Sequence, residues 1–223
     1  MASGAVLVGS GPSLNPAELR ELSGFPAVAF NRSFIAWTDW GFTPSYYACT
    51  NAATAELVVN DVESILAFEG LQQIWLHPLF RENAMARSDE RVVFVAPAGT
   101  VFGVHDGVIG DYGNVGASSL QLLLSAGHTR VLLMGTDGRY RQRDGGPAVN
   151  HFRADYIPAG FSSNNPPRTE KWIDAVSDAL KHGMELRMRA IGSALATIEG
   201  LEQDTASLDD TKAWLNGTDG VEA

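Results

Sequence analysis

Short apolar runs recur along the chain, separated by longer stretches in which apolar positions return every three or four residues. The short runs read as strands at 5–8, 27–30, 46–49, 73–77, 92–95, 130–134 and 185–188. The longer stretches read as helices. Such alternation marks stacked βαβ units, and it predicts an α/β fold: a Rossmann-like single domain with a mainly parallel sheet flanked by helices.

Punctuation sets the helix limits. Asn15 is placed as N-cap, Pro16 at the first helical position, Glu18 to close a capping box, and Gly24 just past the end. A second helix is predicted over 116–126, where Leu120, Leu123 and Leu124 share a face before Gly127 stops it, and a third over 169–182 with Trp172, Val176 and Leu180. Between them, residues 138–168 carry Gly145-Gly146-Pro147, Pro158 and Pro166-Pro167 with little periodicity. Irregular segments of that length in a compact domain are usually functional lids or disordered. Beyond Gly200 the chain turns acidic and rich in Ser, Thr and Asp, with one weak helix around 208–215. The expected organisation is a nucleotide-binding domain over 1–200 and an acidic C-terminal tail over 201–223.

Composition narrows the partners. Among 223 residues, 16 Lys and Arg face 26 Asp and Glu for a net charge of −10, which repels a phosphate backbone and argues against nucleic acid. No apolar run reaches the roughly 18–20 residues of a membrane-spanning helix, and the N-terminal run reads as a first strand rather than a secretory leader. The single cysteine, Cys49, fits a reducing compartment, so a cytoplasmic location is expected. The oligomeric state is left open, with a homo-oligomer among the options.

The strongest candidate site is Gly9-Ser10-Gly11-Pro12-Ser13, a glycine-rich turn between the first strand and the first helix. Glycines permit close backbone approach, and turn amides with a helix N-terminus favour an anion. The alternative is a tight turn with no ligand. A dinucleotide fingerprint would need glycine at Leu14 and an acid at Asn31, and no Gly-Lys-Ser/Thr triplet occurs, so NAD-linked and P-loop chemistry are disfavoured. Asn31 and Asn51 end two strands, where α/β sheets bind ligands, although either could cap a helix instead. Asn114, Val115 and Gly116 open the second helix, and Asp137 ends the strand after it. Tyr140 stands in the basic cluster 139–143, either a phosphate clamp or a solvated loop. No metal site is expected: there is no cysteine cluster, no His-Glu-x-x-His and no Asp-x-Asp pair. No separate cofactor is expected either.

Together, the segment 9–14, Phe30-Asn31, Thr50-Asn51 and the stretch from Gly116 to Gly135-Thr136-Asp137 resemble the bacterial family-42 sialyltransferases. They also resemble that family's relatives, the motility-associated flagellin glycosyltransferases and the hydroxymethylpterin diphosphokinases. The resemblance spans roughly residues 5–190. It implies metal-independent sugar transfer from a CMP-linked donor to a glycan or small acceptor, with nucleotide contacts from Ser10, Asn31, Asn51, Asn114, Gly116 and Asp137. A pterin diphosphokinase and a non-catalytic nucleotide-binding module are the alternatives. The chain departs from the sialyltransferases at Ser10, where they carry Asn, at 114–116, where they carry Thr-Ser-Gly, and at Tyr112, where they carry Arg. Their catalytic histidine lies in the loop after the Asp-bearing strand, matched here by 150–156. His151 is therefore the candidate general base and Asp155 the runner-up.

Overall fold

A computed structural model describes residues 3–138, 151–157, 169–190 and 192–219. In chain order the strands are β1 (Ser3–Val8), β2 (Ala27–Phe30), β3 (Tyr46–Cys49), β4 (Gln73–Leu76), β5 (Val92–Phe94), β6 (Ala96–Gly99), β7 (Val104–His105), β8 (Val108–Gly110), β9 (His128–Met134), β10 (Glu185–Arg189) and β11 (Glu202–Gln203). The α-helices are α1 (Pro16–Glu21), α2 (Trp37–Trp40), α3 (Ala52–Val58), α4 (Val62–Leu66), α5 (Ala84–Ser88), α6 (Val115–Ser125), α7 (Thr169–Lys181) and α8 (Leu208–Asn216).

Eight strands form one sheet in the order β11-β10-β9-β1-β2-β3-β4-β5. Each neighbouring pair is parallel. This is the α/β fold that the alternation predicts. From β1 the chain steps outward through β2 to β5, then returns to β1's other side with β9 and continues to β11. The reversal makes the β1/β9 boundary a topological switch point, the place where open α/β sheets bind ligands.

Alternation along the strands builds two cores. Ala5, Leu7, Val28, Phe30, Ala48, Val131 and Leu133 pack with α6 and α7. Val6, Val8, Ala27, Ala29, Tyr47, Cys49, Leu132 and Met134 face the other way, toward α1, α2, α3 and α8. Residues 201–219, read in the sequence as an acidic tail, contribute β11 to the sheet and α8 to this second core, where Trp214 and Leu215 are buried. Gly4 receives Leu215 so closely that a Cβ there would collide with the Leu215 backbone.

Several expected details shift. Asn15 does cap α1, accepting from the Ala17 amide at 3.1 Å, but the Glu18 carboxylate accepts from Arg189 Nε at 2.7 Å, drawn to a partly buried cation. His77, expected in a strand, lies just after β4 and its Nδ1 accepts from the Leu79 amide at 3.2 Å. The small sheet β6-β8-β7 is an addition to the expected strands.

Candidate functional site

The turn after β1 and the end of β9 are locked together. The Gly9 amide donates to the Met134 carbonyl at 2.7 Å and the Gly11 amide to the Gly135 carbonyl at 2.8 Å. Ser13 donates twice to Asp137 Oδ2, from its amide at 3.1 Å and its hydroxyl at 2.7 Å. A Cβ on Gly9 would strike the Gly135 carbonyl, and one on Gly11 the Asp137 carboxylate. These glycines therefore serve the close approach of the turn to β9. The amides of Gly9, Gly11, Ser13 and Leu14 are all engaged within the protein, so these four already have partners. Pro12 stands in the same turn, half-buried.

Asn31 follows β2 directly and takes a left-handed conformation, φ 55°, which asparagine tolerates better than most residues. Tyr47 fixes it there, donating its buried hydroxyl to the Asn31 carbonyl at 2.7 Å. Asn31 Oδ1 is buried with no hydrogen-bond partner among the described residues. Asn51 behaves differently: its Oδ1 accepts from the Thr54 amide at 3.3 Å, making it the N-cap of α3. Asn114 combines both roles, since Oδ1 caps α6 through the Ala117 amide at 2.8 Å while Nδ2 stays buried with no partner. Val115 is a core side chain, and Gly116 lies against the Trp172 ring, where a side chain would block the packing of α6 on α7. Their backbone amides belong to the first turn of α6, outside a helix's own ladder.

Two buried hydroxyls complete the pattern, at positions to which the resemblance gives no nucleotide contact. Thr50 after β3 and Thr136 after β9 are each at least nine-tenths buried, with hydroxyl oxygens that find no partner among the described residues, while the buried Tyr156 hydroxyl leans on the Ser10 side chain. Leaving a buried polar group unsatisfied costs about 1–3 kcal/mol. Concentrated at the carboxyl end of the sheet, such groups mark a place that a polar ligand would satisfy. Thr50 and Thr136 could have been found in the sequence as the polar residues that end the runs 46–49 and 130–134.

The segment 151–157 lies on this end of the sheet. The Phe152 amide donates to the Ser10 carbonyl at 2.9 Å, and His151 Nδ1 stands 3.2 Å from Ser10 Oγ. The imidazole stacks on the Tyr156 ring, with centroids 4.1 Å apart. Burial, only partly offset by a backbone hydrogen bond at Ser10, lowers the His151 pKa to about 4. The other histidines are placed differently. His77 supports a turn, His128 meets the Tyr46 hydroxyl at 3.0 Å, His182 stacks near Phe102, and His105 belongs to the β7–β8 hairpin. Asp155, the runner-up base, is exposed and paired with Arg153, which holds its carboxyl below the usual range. Tyr140 and the basic cluster lie outside the described residues. Among the described residues, no three His, Cys, Asp or Glu side chains are grouped to hold a metal ion, and no helix is long and apolar enough to cross a membrane.

Fold and site together define a doubly wound α/β protein with buried polar side chains gathered at its switch point. A solved glycosyltransferase and a solved sialyltransferase share this fold. The MAf glycosyltransferase from Magnetospirillum magneticum AMB-1 aligns with a TM-score of 0.60 at 15% identity, over 98% of this chain and 37% of its own. This chain thus spans little more than a third of that structure. The sialyltransferase CstII from Campylobacter jejuni, solved in complex with the substrate analogue cytidine-5'-monophosphate, aligns with a TM-score of 0.52 at 12% identity, over 96% of this chain and 98% of its own. A single-substitution form of that sialyltransferase in complex with CMP gives 0.53 at 12% identity, over 96% of this chain and 99% of its own. No family model matches the chain, and no curated protein matches it in sequence.

Proposed function

We propose that the protein is a glycosyltransferase that binds a CMP-linked sugar at the β1/β9 switch point and transfers the sugar to a hydroxyl of a glycan or small acceptor. One observation carries the reading: buried polar atoms of Asn31, Thr50, Asn114 and Thr136 lack partners among the described residues and gather at the carboxyl end of the sheet. Amides and hydroxyls both donate and accept, which suits ribose hydroxyls and a pyrimidine edge. The fold shared with CMP-bound sialyltransferases supports the choice of nucleotide.

In this reading Ser10, Asn31, Asn114 and the first-turn amides of Val115 and Gly116 contact the nucleotide. Gly9, Gly11, Pro12, Ser13 and Asp137 hold the turn to β9, and Asn51 contributes through the α3 start it caps. His151 is the base. With Nδ1–H donated to Ser10 Oγ, the lone pair sits on Nε2 and accepts the proton of the acceptor hydroxyl. That oxygen then bonds to the anomeric carbon as the bond from carbon to phosphate oxygen breaks, and its electrons leave on CMP. A monophosphate leaving group needs less charge neutralisation than a diphosphate, so the transfer runs without a divalent metal. The protein acts on a nucleotide sugar and an acceptor, with no nucleic-acid partner.

The test is to incubate the protein with CMP-, UDP-, GDP- and ADP-linked sugars in EDTA and to measure nucleotide release with and without sugar acceptors. Release from the CMP donor alone supports the reading. CMP binding without any release would make the protein a nucleotide-binding module, and turnover of ATP with a pterin would move it to the diphosphokinases.

A further inference from the structure

The segment 151–157 is tied down by two arginines that serve different purposes. Arg153 lies on the segment itself, and its Nη1 donates to the Ile35 carbonyl and to Asp39, each at 3.1 Å. Its carboxylate partners Asp39 and Asp155 are exposed, so solvent screens those pairs. Arg32 reaches across from the turn after β2. Its Nη1 donates to the Tyr156 carbonyl at 2.6 Å and to the Asp155 carbonyl at 3.3 Å. A guanidinium bound to main-chain carbonyls fixes backbone, and charged donors make the stronger hydrogen bonds.

What Arg32 fixes is the backbone that carries Tyr156, on whose ring His151 stacks. What positions Arg32 is Asn31, its neighbour, held left-handed by Tyr47. We propose that Arg32 is a positioning residue that holds the 151–157 segment, and with it His151, against Ser10. One turn after β2 then serves both halves of the reaction, Asn31 toward the nucleotide and Arg32 toward the base. The link to catalysis rests on the functional reading above; the mechanical claim does not.

The experiment uses the full chain with Arg32→Met and Arg32→Lys, reading the His151 ring by NMR titration, assigned through His151→Gln, and the Phe152 amide by hydrogen exchange. Among the described residues, Tyr156 stacks on the His151 ring, Arg153 and Asp155 share its segment, Arg32 reaches the segment from the β2 turn, and Asp39 pairs with Arg153. In the wild type the ring titrates well below 6.5. In Arg32→Met it moves back toward 6.5, Phe152 exchange accelerates, and release of CMP from CMP-linked sialic acid slows about tenfold or more, short of the loss on removing the base itself. Arg32→Lys, which keeps the charge but not the planar fork, falls between. Should Arg32→Met fail to fold, the lysine variant decides on the same readings. An unchanged His151 titration and unchanged Phe152 exchange in a folded Arg32 variant overturn the proposal. Full activity of His151→Gln would instead overturn the assignment of the base and leave the tie standing.

Discussion

Ser13 and Asp137, 124 positions apart in sequence, are joined by two hydrogen bonds that close the turn after β1 onto the end of β9. The hydroxyl contributes one of them, at 2.7 Å to a carboxylate. Removing it with Ser13→Ala should destabilise the fold by about 1.5–3 kcal/mol, the range for hydrogen bonds to charged groups. Urea unfolding with an unchanged slope measures it. A change within error would show that the main-chain hydrogen bonds of Gly9, Gly11 and Ser13 hold the two ends together without it.

The glycines divide by what surrounds them. Gly11→Ala places a methyl group on the Asp137 carboxylate and 2.7 Å from the Gly135 carbonyl, and Gly9→Ala places one on that same main-chain carbonyl. Each should cost more than about 3 kcal/mol or prevent folding, because overpacking here cannot be relieved by a side-chain rotation. At Gly24 an added Cβ meets nothing within 4 Å. Gly24→Ala is expected to leave the melting temperature unchanged or raise it slightly. Thermal unfolding of the three variants side by side checks the contrast.

Asn31 and Asn51 should respond differently, although the sequence presents them alike. Asn51→Ala removes the cap of α3 and should lower stability by about 0.5–2 kcal/mol. Asn31→Gly keeps the left-handed backbone and removes only the amide, so stability should hold while CMP affinity falls about 2- to 13-fold, the equivalent of roughly 0.5–1.5 kcal/mol. Calorimetric titration with CMP, paired with thermal melts, separates the two effects. Equal loss of affinity with equal loss of stability in both variants would contradict the division.

His151 sets the acid side of the pH profile. Its pKa is lowered from 6.5 to about 4 by burial, so the docked segment favours the neutral ring. Protons then bind more readily to the released or unfolded form. The contribution of docking is complete above about 6.5 and is lost as the pH falls toward about 4. The acid limb of kcat/KM should accordingly lie well below 6.5, and it should be absent or displaced in His151→Gln. A limb at 6.5 in the wild type would mean that the base is solvated in the free enzyme.

The fold was legible because its central strands are buried on both faces and α1 and α6 are well punctuated. The runs at 27–30 and 46–49 recur as β2 and β3, and α6 and α8 fall within a residue or so of their predicted limits. The short helices α2 to α5, of four to seven residues, carry too few turns for a period to show. The β7–β8 hairpin was within reach: Asp106-Gly107 both have positive φ, and Asp-Gly between short apolar stretches is a hairpin signal. In the site, the contact of the His151 ring with Ser10 joins positions 141 apart and was not foreseen from the sequence. The engagement of the turn amides with β9 was not legible, because it depends on which strand comes to lie beside β1, and no local pattern encodes that neighbour.

The central claim is that the carboxyl end of this sheet binds a cytidine nucleotide without metal, and calorimetric titration of the wild-type protein with CMP in EDTA tests it most directly. The account predicts saturable one-to-one binding in EDTA, unaltered by Mg²⁺ and weakened in Asn31→Gly, with CMP at a hundred times its dissociation constant adding about 2.7 kcal/mol to stability. Binding that needs Mg²⁺ or Mn²⁺, binding of purine nucleotides only, or CMP binding indifferent to Asn31 would contradict it.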